Sequence, residues 1–587
     1  HEPGIGVAPR DQHELARALK IGGSVRSEFR HVLYQMEREG KVVRLRKNRW
    51  SLPDTRRHLA GELRMNAQGF GFVTPETPGI GDVYVPEEKI GASLDGDRVM
   101  ICIESALPKS EKNQSPLAAR SKVSGQILRV LDRRRKSLVG LLKRTLYYWY
   151  VIPDNPGIRP TVQVREFSVD AWKPEESVKV VIQLDPWDSA SKPLSGVVTE
   201  VLGAPDQPGV DMLCILRDHE LETDFSKHCL SEATRTSPEL DESEVRKRED
   251  LRGLITFTID PEEAHDFDDA VSLKRDAQGH WVLGVHIADV AHYVAKGSSI
   301  DDEACHRGNT VYLVDRAISM LPPYLTKEVC SLQAGKDRLT HTVEMALGKE
   351  GQVQRAKTYP SVIHSSARLT YEQVQALFED RSDHGIPPEV ATVIGEMRGL
   401  ARLLRRKRMA RGAMDLNLPE VRIVLDPKGH PVGVRKRGCT EAYNLIEEFM
   451  LMANCTVAGI LSGKEIPTMY RIHDAPDEEQ WSRMGSDLAA LGIAENPENR
   501  HDMNTIAHQV AQTPMEYSVN LAILKNLKRA LYSPTLKEHF GLASPCYTHF
   551  TSPIRRYPDL VIHRLLGSVE AGKNPPYSND DIARIAE

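Results

Sequence analysis

Apolar residues recur along this chain with two periods, and the switches between the periods divide it. Helical spacing appears twice near the start, from His13 to Lys20 and from Val25 to Arg38. Ser24 is placed as an N-cap and Glu39-Gly40 as the stop. From Lys41 to Trp50 the pattern alternates and breaks at Lys47-Asn48, which predicts a hairpin. Helices followed by a basic ribbon predict a winged helix over residues 1–55. Alternation resumes over 58–104, in Gly69-Phe-Gly-Phe-Val73, Asp82-Val-Tyr-Val85 and the turn Leu94-Asp-Gly-Asp-Arg-Val99, and predicts a small OB-type barrel. Ser105 to Lys122 is rich in Pro, Ser and Lys and reads as a linker or mobile loop. A second strand-rich stretch, 123–222, holds Gly125-Gln-Ile-Leu-Arg-Val130 and Tyr147-Tyr-Trp-Tyr-Val-Ile-Pro-Asp154 and predicts a second such barrel. Residues 223–587 mix both periods and read as one large α/β domain. The expected class is therefore multidomain α+β.

Composition narrows the class without naming a function. With 587 residues and a hydrophobic share of 40%, there is apolar material for several cores. No run of 18 apolar residues occurs, and the longest apolar stretch, Phe449 to Leu461, carries Asn454, so no membrane partner is expected. No signal peptide is visible at the start of the chain. The eight cysteines are scattered without a C-x-x-C pair, which argues for a reduced, cytoplasmic compartment and against structural zinc. Net charge is −5, but residues 1–60 hold 13 Lys+Arg against 7 Asp+Glu, so that segment is +6 and the rest −11. A basic lobe on an acidic body suits an anionic polymer handled at a cation-loaded site, and also suits an ordinary solvated face.

Alternation places Phe70 and Phe72 on one sheet face, where Tyr84 can join them, and this pattern over 58–104, followed by the second barrel, resembles cold-shock domains. Aromatics ranked on an open barrel face are what stacking of unpaired bases requires; the competing reading is the core of a small barrel. The cluster at Tyr147 to Tyr150 reads as core more than as a stacking surface.

The densest chemistry lies in Asp260-Pro-Glu-Glu-Ala-His-Asp-Phe-Asp-Asp269. Six of these ten residues are acidic, where the chain average of 82 in 587 would give about 1.4. Carboxylates this close repel one another unless something offsets the charge, and a hard divalent cation with oxygen ligands does so. The run lacks the spacing of a calcium-binding loop. The flanking strands place the acids at the end of a sheet. Mg²⁺ held this way beside nucleic-acid surfaces points to phosphodiester cleavage. Positive charge for the phosphoryl oxygens has a source in Thr551-Ser-Pro-Ile-Arg-Arg-Tyr-Pro-Asp559, where only one of Arg555 and Arg556 can face the site.

The ordered motifs Asp250-Leu-Arg252, Thr258-Ile-Asp260, Asp266-Phe-Asp-Asp-Ala-Val271, Val285-His-Ile-Ala-Asp-Val290, Met320-Leu-Pro-Pro323, Ser365-Ser-Ala-Arg-Leu-Thr-Tyr371, Ile446-Glu-Glu448, Tyr470-Arg-Ile-His473 and His549 to Asp559 resemble the ribonuclease II/R superfamily, the RNB exoribonucleases. The resemblance implies an RNB catalytic domain over 223–587 with a central RNA channel. It implies a processive 3′→5′ hydrolytic exoribonuclease that releases nucleoside 5′-monophosphates from RNA with a single-stranded 3′ end, structured RNA included. It further implies one or two Mg²⁺ ions, replaceable by Mn²⁺, on Asp260, Asp266, Asp268 and Asp269, with Asp268 most critical to chemistry. Arg555, or else Arg556, would be the catalytic arginine. Tyr312 would stack on the 3′-terminal nucleotide and Glu447 would contact ribose. The family's phenylalanine clamp falls on Gly412-Ala-Met-Asp-Leu416, where Leu416 cannot π-stack. Pro261, Glu263 and His265 depart from the usual motif, but none is one of the four aspartates. The family's C-terminal OB domain is expected to be absent from this chain. A monomer, with ribosome or RNA-decay factors as further partners, completes the expectation; a non-catalytic RNA-binding regulator is the alternative.

Overall fold

The computed structural model describes residues 10–19, 21, 26–38, 42–45, 49–51, 58–77, 80–106, 123–169, 174–381, 385–416, 418–438 and 440–587. It forms two compact units, 1–222 and 223–587.

The first unit opens with helices Gln12–Ala18 and Arg26–Arg38 and a three-stranded sheet in which Arg49–Ser51 lies between Arg10–Asp11 and Val43–Leu45. Leu33, Val42 and Trp50 form its buried apolar cluster. The Arg10–Asp11 strand was not expected from the pattern; the Ser24 cap, the Glu39-Gly40 stop and the Lys47-Asn48 turn lie outside the described residues.

Two closed barrels follow. His58–Met65, Gly71–Pro75, Val83–Val85, Arg98–Ala106 and Val123–Asp132 make the first. Alternation along His58–Met65 sends Leu59 and Leu63 inward, where they meet Val73, Val83 and Ile101. The barrel border expected at 105–122 does not hold. Val123–Asp132 does not begin the second barrel but pairs along Arg98–Ala106, with Met100 opposite Arg129, and closes the first. Period-two alternation identifies a strand but not its neighbour, and the Pro/Ser/Lys-rich stretch imitates a domain linker. Ser137–Arg144, Trp149–Pro153, Val162–Phe167, Lys179–Leu184 and Ser195–Gly203 make the second barrel. Its strands enclose Leu138, Leu142, Val151, Val180 and Val198.

The second unit is built on a sheet whose pairings return on themselves. Thr256–Asp260, Asp269–Arg275, Trp281–Ala288 and Asp337–Leu347 are successive neighbours. The long strand Val353–Thr370 pairs with both the first and the last of them. Glu249–Asp250 adds an edge strand. Helices Pro388–Ala410, Glu441–Gly463 and Tyr557–Glu570 bury their apolar faces in the same core. Glu441–Gly463 is long and apolar enough by length and composition to cross a membrane. Half of its apolar window is buried, and Asn454 within it bonds the Phe550 backbone (2.8 Å), as a core helix does.

Candidate active site

The acidic loop joins two antiparallel neighbours at one rim of the sheet. Asp260 closes the strand Thr256–Asp260, opposite Thr370, and Asp269 opens the next strand, opposite Ile287. Between them the loop is fixed by its own backbone. The Arg368 guanidinium donates to the carbonyls of Pro261 (2.8 Å) and Glu262 (2.7 Å). Phe267 is buried, and its N–H donates to Ser331 Oγ (3.0 Å), which in turn donates to the His265 carbonyl (3.0 Å). The Ala288 N–H donates to the Asp268 carbonyl (2.8 Å). Glu263 faces outward to Arg422 (2.6 Å). Burying an apolar ring in the middle of an acidic run is what turns its neighbours to the rim.

Burial drives the Asp260 carboxyl well above the usual carboxylate range, and the charge of Asp269 adds to it. Asp268 is raised strongly, first by burial, while Arg555 and the Ile554 N–H pull it back and Asp269 and Asp266 push it up. Asp269 is also raised by burial, against Arg555 and Arg556. Asp260 Oδ2 is buried without a hydrogen-bond partner. Among the described residues no group of three or more His, Cys, Asp or Glu already stands close enough to hold a metal. The donor chemistry nonetheless fits a hard divalent cation: carboxylates raised by desolvation and mutual repulsion, and a buried oxygen without a donor, are what such an ion relieves.

The second half of the site comes from the loop entering helix Tyr557–Glu570. The Ile554 N–H donates to Asp268 Oδ1 (2.9 Å). Arg555 Nε lies 3.8 Å from Asp268 Oδ2, Nη2 donates to Ser552 Oγ (3.0 Å), and the side chain is 43% exposed. Arg556 points elsewhere: its Nε and Nη2 grip buried Asp559 at 2.9 and 2.7 Å. Burial pushes Asp559 up, but Arg556 and the Ser552 N–H outweigh it and hold the carboxyl below its ordinary value. The two adjacent arginines are thus divided, Arg555 to the aspartates and Arg556 to the fold.

Tyr312 is brought to the same place by main-chain bonds. The Thr310 N–H donates to the Arg555 carbonyl (2.9 Å) and the Tyr557 N–H to the Gly308 carbonyl (2.9 Å). The Tyr312 ring is 59% exposed. Partial desolvation and then the charge of Asp266 raise its hydroxyl. Glu447, on helix Glu441–Gly463, is set instead against Arg408 (3.5 Å) and Arg405 (3.7 Å). Leu416, at the clamp position, packs with Met414 on the apolar cluster around Met484 and Phe540. Sequence reasoning did not find Arg405 and Arg408; their recurrence on the Glu-facing side of the Pro388–Ala410 helix was the available signal.

In the first barrel Phe72 stands opposite Tyr84, and the rings of Phe70, Phe72 and Tyr84 pack together at 5.5–5.8 Å. Phe70 is buried beneath the other two, which are partly exposed. In the second barrel Trp149 packs on the core while Tyr147 is exposed.

Three family models match the chain: the RNB domain over residues 248–571, the Cold shock domain over 150–226 and the Ribonuclease B OB domain over 61–117. Ribonuclease R of Thermotoga maritima is 38% identical over 556 residues, which cover 92% of this chain and 75% of that protein. Mycoplasma genitalium RNase R in complex with ribose methylated single-stranded RNA superposes with a TM-score of 0.80 at 28% identity, over 90% of this chain and 83% of that one. The same protein in complex with double-stranded RNA gives 0.73 at 27% identity, over 85% of each chain.

Proposed function

Since the chain belongs to the RNB-domain family of ribonuclease R, we propose that it is a processive 3′→5′ exoribonuclease that hydrolyses RNA to nucleoside 5′-monophosphates. One observation carries the assignment of the site. A loop with four aspartates, and Arg555 alone of two adjacent arginines, converge on one sheet rim, where a buried Asp260 oxygen lacks any donor.

Hydrolases of this family generally depend on a divalent metal. Magnesium, as one or two ions with manganese as substitute, would be held by Asp260, Asp266, Asp268 and Asp269; it supplies an activated water and charge neutralisation at the phosphate. The chain's own groups do the rest. Arg555 brings positive charge to the phosphoryl oxygens. Asp268, fixed by the Ile554 N–H, keeps its second oxygen toward Arg555. Tyr312 offers an exposed ring to the terminal base, and Glu447 accepts from the ribose hydroxyl, which separates RNA from DNA. Phe72 and Tyr84 offer a face for unpaired bases, with Phe70 supporting them and Arg556 bracing the loop. RNA with a free single-stranded 3′ end is the substrate, including structured RNA entered from an overhang. A winged helix over 1–55 and an RNB domain over 223–587 complete this proposal for the protein, which would act as a cytoplasmic monomer alongside ribosome or RNA-decay partners.

The competing reading, a non-catalytic RNA-binding regulator, has to explain why all four aspartates and Arg555 are present. Asp268→Asn separates the two. We expect loss of monophosphate release from a 3′-overhang RNA by at least ~10³-fold, with RNA affinity retained in a filter-binding titration. A wild-type protein that releases no monophosphate with Mg²⁺ would remove the enzymatic reading; loss of binding in the variant would make Asp268 structural.

A further inference from the structure

Helix Pro388–Ala410 meets helix Glu441–Gly463 at a group of charges of which the proposed chemistry uses only Glu447. Arg408 grips Glu448 with both prongs: Nε lies 3.0 and 3.2 Å from its two oxygens and Nη2 lies 2.6 Å from Oε1. Both side chains are nearly inaccessible, at 7% and 3% exposure. The same Nη2 is 3.5 Å from Glu447 Oε2. Arg405, one turn earlier, donates to Asp415 (2.7 Å) and approaches Glu447 at 3.7 Å and Glu448 at 3.9 Å. Two guanidiniums therefore face three carboxylates. Glu448 saturates one and Asp415 the other. Glu447 is left 3.5 Å from one and 3.7 Å from the other, near enough to be aimed by their charge and too far to be closed off by a short hydrogen bond. It is also far more accessible than Glu448.

A buried ion pair is a weak source of stability, because desolvating two charges offsets most of their attraction. It is a good source of orientation, because the planar arginine fork fixes both partners. Asp415 lies beside Leu416, so Arg405 ties the loop at the clamp position to the same helix.

We propose that Arg408, locked by Glu448 and assisted by Arg405, is a positioning residue for Glu447, holding its free oxygen where a ribose 2′-hydroxyl arrives. Sugar discrimination by the enzyme then depends on an arginine that never touches RNA. This inference rests on the reading of Glu447 as the ribose contact.

The test compares KM for two oligonucleotides of one sequence, all-ribo and with 2′-deoxyribose in the 3′-terminal nucleotides. Three proteins are assayed beside the wild type. Glu447→Leu removes the acceptor itself. Arg408→Met combined with Glu448→Met removes the buried pair as a unit, so that no charge is stranded. Arg408→Lys keeps the charge and loses the fork. In the wild type the deoxy-ended oligonucleotide is expected to have the higher KM. Glu447→Leu is expected to cut this ribo-to-deoxy preference by about ten- to a hundred-fold, the worth of a hydrogen bond to a charged group. The double variant is expected to cut it about tenfold with kcat at saturation nearly unchanged, and Arg408→Lys to fall between it and the wild type. If Glu447→Leu leaves the preference intact, the ribose reading of Glu447 fails. If Glu447→Leu collapses it while the double variant and Arg408→Lys keep the wild-type value, the positioning role alone is overturned.

Discussion

Two groups of carboxylates in the second unit are balanced in opposite ways. Glu448 and Asp415 on one side, and Asp559 on the other, each have an arginine of their own at 2.6–2.9 Å. Asp260, Asp266, Asp268 and Asp269 have no such partner among the described residues: Arg555 stands 3.8 Å from Asp268, Arg368 and Arg556 act on Asp260 and Asp269 only through their charge, and burial raises three of the four. The first group is complete as the chain folds; its acids shape the fold and aim neighbours. The second is left short of positive charge, since these arginines do not offset its burial. A deficit of that kind, placed at a sheet rim beside a half-exposed arginine, marks where something positive and something phosphorylated are to come.

The contrast is open to direct attack. Arg556→Met strands the buried Asp559 charge, so the unit should lose about 3–5 kcal/mol, read from denaturant unfolding; a loss below 1 kcal/mol would place Arg556 on the uncompensated side. Arg555→Met should lower kcat by about 10²–10³-fold while leaving the unfolding midpoint in place. A shifted midpoint with normal turnover would reverse the two assignments. Asp260→Asn sharpens the comparison through pH. A carboxyl whose folded pKa is raised contributes stability that is fully present below its unfolded value near about 4 and is lost as pH rises through the folded value. In metal-free protein this substitution should therefore stabilise at pH 8, by on the order of 1 kcal/mol or more, and the gain should vanish near pH 4. No gain at pH 8 would mean that the acids are already neutralised within the chain. Tyr312→Ala, the mildest change, should alter the length of the last oligonucleotide left undigested on a sequencing gel, with stability unaffected because the ring is exposed.

Much of this was legible in the sequence because it is local. The acidic run, the strands on either side of it and the Ser-Pro-Ile-Arg-Arg turn are contiguous, and their chemistry does not depend on distant partners. That one of two adjacent arginines would turn inward followed from geometry; which one required Asp559, seven residues after Ser552 and bonded to its N–H. The failures are non-local. Val123–Asp132 carries a strand pattern that says nothing of its partner, so it was assigned to the wrong barrel. Phe70 and Phe72 alternate with glycines as an open face would, yet Phe70 is covered by its own neighbours. Glu447 looks like any helical glutamate until Arg405 and Arg408, some forty positions away, are laid beside it.

The segment that carries Tyr312 is stitched to the segment that carries Arg555 by two main-chain hydrogen bonds, from the Thr310 N–H to the Arg555 carbonyl and from the Tyr557 N–H to the Gly308 carbonyl. The spacing between the two attachment points is therefore a caliper machined into the main chain, indifferent to the side chains mounted on its jaws. Either tip can be swapped or softened by substitution while the gap between the jaws holds.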